Sequence, residues 1–226
     1  MGVKLVPSSK VRAIATAPTR GKAAVRSAPI PRIVAQPGSD AVLLSVLVPT
    51  VPGREGKLAA LLASLDRQVA TRTDIELLVV RDSRGMTIGE KRNRMLAIAR
   101  GEYVAFVDAD DAVAPDYVST IAAGLAEKPD VLCFEVVVNG HGPTKTCYYG
   151  LTLPHKNLAD CYQRKPNHLM VWRRAIAVSV PFPSVRTGED TAWADQICSR
   201  ATKEIRIPRP LYSYNYDPAD NSATPR

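Results

Sequence analysis

Hydrophobic and polar positions along the chain form short β-rich runs that alternate with longer runs of helical periodicity. The alternation begins at Leu43 and continues to Val138, after which Gly, Pro, His and Asn residues interrupt it. This order is typical of a mainly parallel sheet with helices on its faces. The predicted strands are 43–48, 75–80, 103–107, 131–138, 144–149 and 211–216, and the predicted helices are 56–68, 88–100, 115–127 and 189–202.

Residues that follow the predicted strands are the first candidates for function, because ligands of such sheets bind beyond the carboxyl ends of the strands. Three polar stretches stand at these positions. They are Pro49-Thr50 after the first strand, Arg81-Asp82-Ser83 after the second, and Asp108 to Asp111 after the third. Residues 150–167 are predicted to form a loop, which makes the second half of the fold less regular.

Three carboxylates follow the third strand within the four residues Asp108-Ala109-Asp110-Asp111. Like charges at this spacing repel one another, and a divalent cation relieves the repulsion. Carboxylate oxygens are hard ligands that suit Mg²⁺ or Mn²⁺. A loop that only caps the helix predicted near Pro115 would need one aspartate rather than three. We therefore expect one of these two metals at the turn.

A second charged cluster lies in the first turn of the helix that begins at Ile88, where Lys91 and Arg92 stand near the positive end of the helix dipole. Cations in this position cost stability unless an anion offsets them. A diphosphate near the expected metal would supply that anion, so we expect Lys91 or Arg92 to reach toward it. The alternative is a solvated basic face.

The segment Thr187-Gly188-Glu189-Asp190 precedes an amphipathic run and has two interpretations. Thr187 as N-cap, with Asp190 three residues later, would form an arrangement like a capping box. A carboxylate at the rim of a pocket would instead act as general base on a hydroxyl group. The spacing alone leaves both interpretations open.

Together these motifs resemble the inverting family-two glycosyltransferases of the GT-A fold, which transfer a sugar from a nucleotide donor. The resemblance extends from Leu44 to about Tyr216. It rests on the order and spacing of several short motifs: 45–50, 77–83, 91–93, 99–103, 108–111 and 188–190.

The resemblance implies roles for the residues on the donor side. Pro49, Thr50 and Asp82 would hold the base of the nucleotide, and Asp108 would hold its ribose or phosphate side. Asp110 would bind the metal, with Asp108 beside it.

The resemblance also implies roles on the side of the acceptor. Asp190, next to Glu189, would take the proton of the attacking hydroxyl, and the configuration at the anomeric carbon would invert. His168 lies between the acidic turn and this pair, where many GT-A enzymes contribute another metal or phosphate ligand. A structural histidine is the alternative.

Composition and charge change this picture mainly at the amino terminus. The 226 residues are 46% hydrophobic and 23% charged, which excludes wholesale disorder, and no apolar run reaches the roughly 20 residues of a membrane span. Residues 1–40 hold seven basic residues and one acidic residue, a net charge of +6, whereas residues 41–226 carry +2. The Pro- and Ala-rich segment 1–40 is therefore predicted to be a disordered basic arm. A solubilising tail, an arm for nucleic acid or anionic lipid, and a transit peptide are its open interpretations.

The sequence thus predicts a GT-A domain over residues 41–226 that transfers a sugar from a nucleotide donor, expected to be a UDP-sugar. The acceptor would be a polysaccharide, a glycolipid, a protein or a hydroxymethylated DNA base. Without a secretory signal and with four separated cysteines, the chain is expected in the cytoplasm. The alternatives are a nucleotidyltransferase and a non-catalytic nucleotide-binding module that docks a partner through its arm.

Overall fold

A computed structural model describes residues 41–140, 142–185 and 187–216. The predicted basic arm, 1–40, lies outside the described residues and stays a prediction. The strands are β1 (Leu44–Thr50), β2 (Ile75–Arg81), β3 (Tyr103–Phe106), β4 (Ala112–Val113), β5 (Val131–Asn139), β6 (Lys145–Tyr149), β7 (Lys156–Asn157), β8 (Cys161–Arg164), β9 (Val171–Arg173) and β10 (Glu204–Asn215). The helices are α1 (Glu55–Val69), α2 (Ile88–Ile98), α3 (Tyr117–Leu125), α4 (Arg174–Ala177) and α5 (Glu189–Ile197), followed by a 3₁₀ turn at Cys198–Arg200.

The first half of the sheet is parallel, as the alternating pattern predicts. Strand β1 lies between β2 and β3 and runs parallel to both. Every residue of β1 is buried, which is why this strand appears in the sequence as a mainly apolar run, interrupted by Ser45, rather than an alternating one. The carboxyl ends of β1, β2 and β3 therefore meet at one edge of the sheet.

The short strand β9 inserts between β3 and β5 and runs antiparallel to both. Its Trp172 is buried, and the indole N–H donates to the carbonyl of Asn167 at 2.9 Å. This bond fixes the preceding segment beside the end of β3. The strand was not predicted, and it brings His168 to the acidic turn.

Strands β6, β8 and β7 extend the sheet beyond β5, with β6 and β8 parallel and β7 antiparallel to β8. The prediction of a loop over 150–167 is therefore wrong for the residues that form β7 and β8. Strand β10 pairs in parallel with β5 over most of its length and also pairs with β4. It begins at Glu204, seven residues earlier than predicted.

Two further findings concern the environment of the chain. None of the helices in the described part is long and apolar enough to cross a membrane. All four cysteines are free thiols, and Cys133 and Cys147 are buried.

Candidate active site

Lys91 joins the ends of β1 and β2. Its ammonium forms an ion pair with Asp82 and donates to the carbonyl of Thr50 at 2.9 Å. Burial lowers the pKa of Lys91, and the hydrogen bond and charge of Asp82 partly offset that effect. Lys91 thus reaches over the strand ends, as expected, but it is only 2% exposed and neutralises Asp82 there. The side-chain hydroxyl of Thr50 is buried beside this pair without a partner among the described residues.

Arg92 is buried between the acidic turn and the start of α5. It pairs with Glu189 and lies 3.3 Å from Asp108, while the rings of Phe106 and Phe182 lie 5.8 and 5.7 Å from its guanidinium carbon. Burial opposes its charge, but Asp108 and Glu189 outweigh that effect and raise the pKa of Arg92. Its guanidinium therefore links two carboxylates and is not displayed at an open surface.

His168 lies between two carboxylates from opposite ends of the site. Its Nε2 is 3.3 Å from Asp108, and its Nδ1 is 3.7 Å from Asp190. The second distance is too long for a hydrogen bond, and the buried Nδ1 has no partner among the described residues. Burial raises the pKa of Asp108, but Arg92 and His168 overcome this effect and hold it well below its usual range. Asp108 is therefore a stable anion at neutral pH.

Asp110 points from the same turn toward the loop after β1. Its carboxylate accepts a hydrogen bond from Arg54 at 2.7 Å. Within the described ranges, no three His, Cys, Asp or Glu side chains converge closely enough to hold a metal ion. Two carboxylates and an imidazole, from Asp108, Asp110 and His168, nevertheless match the ligand chemistry of Mn²⁺ or Mg²⁺. For Asp110 to bind a metal together with Asp108 and His168, its hydrogen bond with Arg54 must break.

The third acid of the turn, Asp111, has a structural role. It accepts hydrogen bonds from the Tyr212 hydroxyl and the backbone N–H of Asn215, both at 2.7 Å. The same tyrosine oxygen accepts from the N–H of Asp108 at 3.1 Å. Burial and the neighbouring Asp108 raise the pKa of Asp111 to about 8. These bonds fasten the acidic turn to β10.

Helix α5 begins without a side-chain cap. Its N-cap is Gly188, whose φ of 78° is a left-handed conformation, and this residue supplies no side-chain cap. The capping-box interpretation of Thr187 and Asp190 is therefore wrong. Among the described residues, Asp190 accepts one hydrogen bond, from the N–H of Thr191 at 2.8 Å, and its side chain keeps 31% of its surface exposed. The carboxylate is thus accessible.

A cavity of about 350 Å³ opens beside Asp190 and His168. Strands β5, β6, β8 and β10 contribute aromatic and apolar side chains to it, among them Tyr149, Tyr162 and Tyr214. Asp110 lies instead at a second cavity of about 260 Å³, near Lys57. The expected metal ligand and the expected general base therefore line two cavities that share no lining residue.

The structure thus brings the predicted site residues to one edge of the sheet. Pro49, Thr50 and Asp82 lie at the ends of β1 and β2, and the acidic turn follows β3. Sequence reasoning missed Arg54 and gave Tyr212 little weight. The alternation of tyrosines in β10 was visible, but only the structure shows that one of them bonds to the acidic turn.

Residues 83–171 match the model of glycosyl transferase family 2. Among solved structures, S. aureus TarS 1-349 in complex with UDP-GlcNAc is 20% identical over 82% of this chain and 62% of that one, with a TM-score of 0.61. The same protein in complex with UDP is 23% identical over 80% and 62%, with a TM-score of 0.59. These matches confirm the expected fold and the expected resemblance to family-two glycosyltransferases, which the family model supports over residues 83–171. Among curated proteins, none matches the sequence.

The family-two glycosyltransferase match covers only part of the site. It includes Lys91, Arg92, the acidic turn and His168, whereas β1 and Asp190 lie outside it. The chain spans about three fifths of the length of the TarS 1-349 structures. At these identities the structural likeness establishes the GT-A fold alone.

Proposed function

We propose that this chain is a metal-dependent inverting glycosyltransferase that moves a sugar from a UDP-sugar to an acceptor hydroxyl. The observation that carries the proposal is the accessible carboxylate of Asp190, 3.7 Å from His168, which in turn lies 3.3 Å from Asp108. One side chain, that of His168, therefore lies between the acid at the edge of the cavity and the turn that follows β3.

The proposed reaction is a single displacement. The acceptor oxygen bonds to the anomeric carbon while its proton passes to Asp190. The bond between that carbon and the diphosphate oxygen breaks, and the electron pair leaves with the nucleoside diphosphate. Attack from the face opposite the leaving group inverts the configuration.

The donor would occupy the ends of β1, β2 and β3. Thr50 offers a buried hydroxyl without a partner in the described part of the chain, beside Pro49 and Asp82. Solved structures of the same fold contain UDP and UDP-GlcNAc, which supports a UDP-sugar here. Asp110, Asp108 and His168 would hold a divalent cation, which would offset the charge of the departing diphosphate.

Thermal stability of the full chain with Mn²⁺ or Mg²⁺ and a panel of nucleotide sugars tests the donor site. A ligand at one hundred times its Kd adds about 2.7 kcal/mol to the free energy of unfolding. We expect a metal-dependent rise in Tm with a UDP-sugar, lost in Asp110→Ala and kept in Asp160→Ala, which removes an exposed acid elsewhere. No rise with any donor would contradict the proposal.

Replacement of the proposed base tests the chemical step. Asp190→Asn should keep the Tm and the donor-induced shift but lose nearly all turnover of the UDP-sugar, because no group then accepts the proton. Asp160→Asn is the matched control and should keep turnover. Full activity in Asp190→Asn would exclude Asp190 as the base.

A further inference from the structure

The cavity beside Asp190 has one strongly basic side. Residues 144–166, which include β6, β7 and β8, hold four basic residues and one acidic residue, a net charge of +3. Residues 41–226 together carry +2, so the remainder of that domain carries −1. Two of these four basic residues, Arg164 and Lys165, line the cavity that Asp190 also lines. We call His155, Arg164 and Lys165, which line the cavity, the basic wall.

Arg164 carries a charge that no acid neutralises within the described residues. Its guanidinium donates to the backbone oxygens of Lys156 and Gln163 at 3.0 and 2.8 Å and to the side-chain oxygen of Asn157 at 2.6 Å. These neutral acceptors orient the guanidinium but leave its charge uncompensated. A half-buried, oriented arginine at a cavity is suited to an anion.

The other two members of the basic wall share a single acid. Lys165 lies 2.8 Å from Asp195, and His155 lies 3.5 Å from the same carboxylate. The hydrogen bond to Asp195 raises the pKa of Lys165, so its ammonium stays charged. Asp195 offsets the charge of Lys165, whereas Arg164 has no acid within the described residues, so the wall keeps an excess of positive charge.

The same cavity presents aromatic surface and an unsatisfied polar atom. The cations of Lys145 and Arg164 lie over the ring of Tyr162, at 5.2 and 5.3 Å from its centroid, so the protein itself already engages this ring. Tyr149 and Tyr214 also line the cavity. Opposite the wall, the buried Nδ1 of His168 has no partner within the described residues.

We propose that this cavity binds the acceptor and that the acceptor is an acidic saccharide. A carboxylate or phosphate on the saccharide bonds to the basic wall, chiefly to Arg164. The hydroxyl that is glycosylated then faces Asp190 and His168. This inference rests on the proposed function, of which it names the acceptor class.

Calorimetric titration of the full chain tests the inference without any transfer step. The ligands are a uronic-acid oligosaccharide, its carboxyl-reduced counterpart, a sugar-phosphate oligomer and a single-stranded DNA oligonucleotide. One charge-assisted contact corresponds to about a tenfold change in Kd or more. We expect an acidic saccharide to bind at least about tenfold more tightly than the neutral one. The two acidic ligands tell a carboxylate from a phosphate.

Variants locate the preference within the protein. Arg164→Gln should remove most of the preference for the acidic saccharide, and Lys165→Gln should remove a smaller part. Arg164→Lys should keep part of this preference. Arg94→Gln removes an exposed charge on α2 outside the cavity and should leave it unchanged.

Three results would overturn the inference. The first is no preference for the acidic saccharide, or no binding of any saccharide. The second is a preference that Arg164→Gln leaves intact, and the third is tighter binding of the oligonucleotide through the same wall. The donor-induced Tm shift, measured on the same samples, separates this inference from the proposed function. A shift without the saccharide preference rejects only the acceptor class, and a missing shift rejects the donor site.

Discussion

Replacement of Arg92 by methionine distinguishes a structural cation from a ligand of the donor. The side chain is 3% exposed and pairs with Asp108 and Glu189. Arg92→Met keeps much of the apolar volume next to Phe106 and Phe182 but leaves the buried Glu189 and the half-buried Asp108 without this cation. Loss of one partner of a buried ion pair costs about 3–5 kcal/mol.

Such a loss is large for a domain of this size. One kcal/mol corresponds to about 2–4 °C in Tm for proteins of 150–250 residues, so Arg92→Met should lower the Tm by about 10 °C. The double variant Arg92→Met with Glu189→Gln also removes one of the two negative charges that have lost their cation, and it should restore part of the stability. Arg94→Met, exposed on the same helix, is the control and should change the free energy of unfolding by less than about 0.5 kcal/mol.

Urea unfolding followed by tryptophan fluorescence is the suitable assay, because Trp193 stacks on Phe182 at 4.4 Å and Phe182 contacts Arg92. The donor-induced Tm shift is measured in parallel. If Arg92→Met lost less than about 1 kcal/mol yet no longer bound the donor, the structural reasoning would be refuted. The sequence-based expectation of a diphosphate ligand would then hold.

Three further substitutions test the surroundings of the site. Tyr212→Phe removes the hydroxyl that bonds to Asp111 and to the N–H of Asp108, and it should lower the free energy of unfolding in urea by about 1–3 kcal/mol. An unchanged urea midpoint would contradict these two hydrogen bonds. Asp111 has a pKa of about 8 in the folded state, against 3.8 in the unfolded state, so the folded protein holds this proton more tightly. The stability that this proton contributes is therefore present at low pH and falls as the pH rises from about 4 to about 8, by up to about 1.4 kcal/mol per pH unit. Thermal melts in EDTA from pH 5 to 8 should therefore show a flatter profile for Asp111→Asn, and equal slopes would refute the assignment. Gly101→Ala places a Cβ 2.5 Å from the backbone N of Ser45 and the backbone O of Tyr103. We expect it to lower the free energy of unfolding by about 1–3 kcal/mol in the same urea assay, and unchanged stability would contradict this close packing.

The central strands and the acidic turn could be predicted because their signals are local. Strands β1, β2 and β3 are covered on both faces, so their sequences are mainly apolar, with Ser45 and Glu76 as buried polar exceptions. The position of Asp108 follows from the end of β3. Strands of two or three residues, such as β4, β7 and β9, are too short for periodicity to reveal, and long-range pairing determines them.

Burial of charge was the feature that the sequence did not reveal. Lys91 and Arg92 have the composition of a basic helix face, yet both are almost fully buried. Their partners are set by the tertiary fold: Asp82 lies nine residues before Lys91, and Glu189 lies 97 residues after Arg92. A cluster of charge at a helix start indicates an anion nearby, but here the nearest anions belong to the protein itself.

The two adjacent acids at the start of α5 differ in what they can do. Consecutive residues of a helix point in directions about 100° apart, so Glu189 and Asp190 cannot face the same opening. Glu189 is 6% exposed and committed to Arg92, whereas Asp190 keeps 31% of its side-chain surface and lines the cavity. Since Arg92 also contacts Asp108, Glu189 fixes the helix start relative to the acidic turn. We therefore expect Glu189 to position the site and Asp190 to accept the proton.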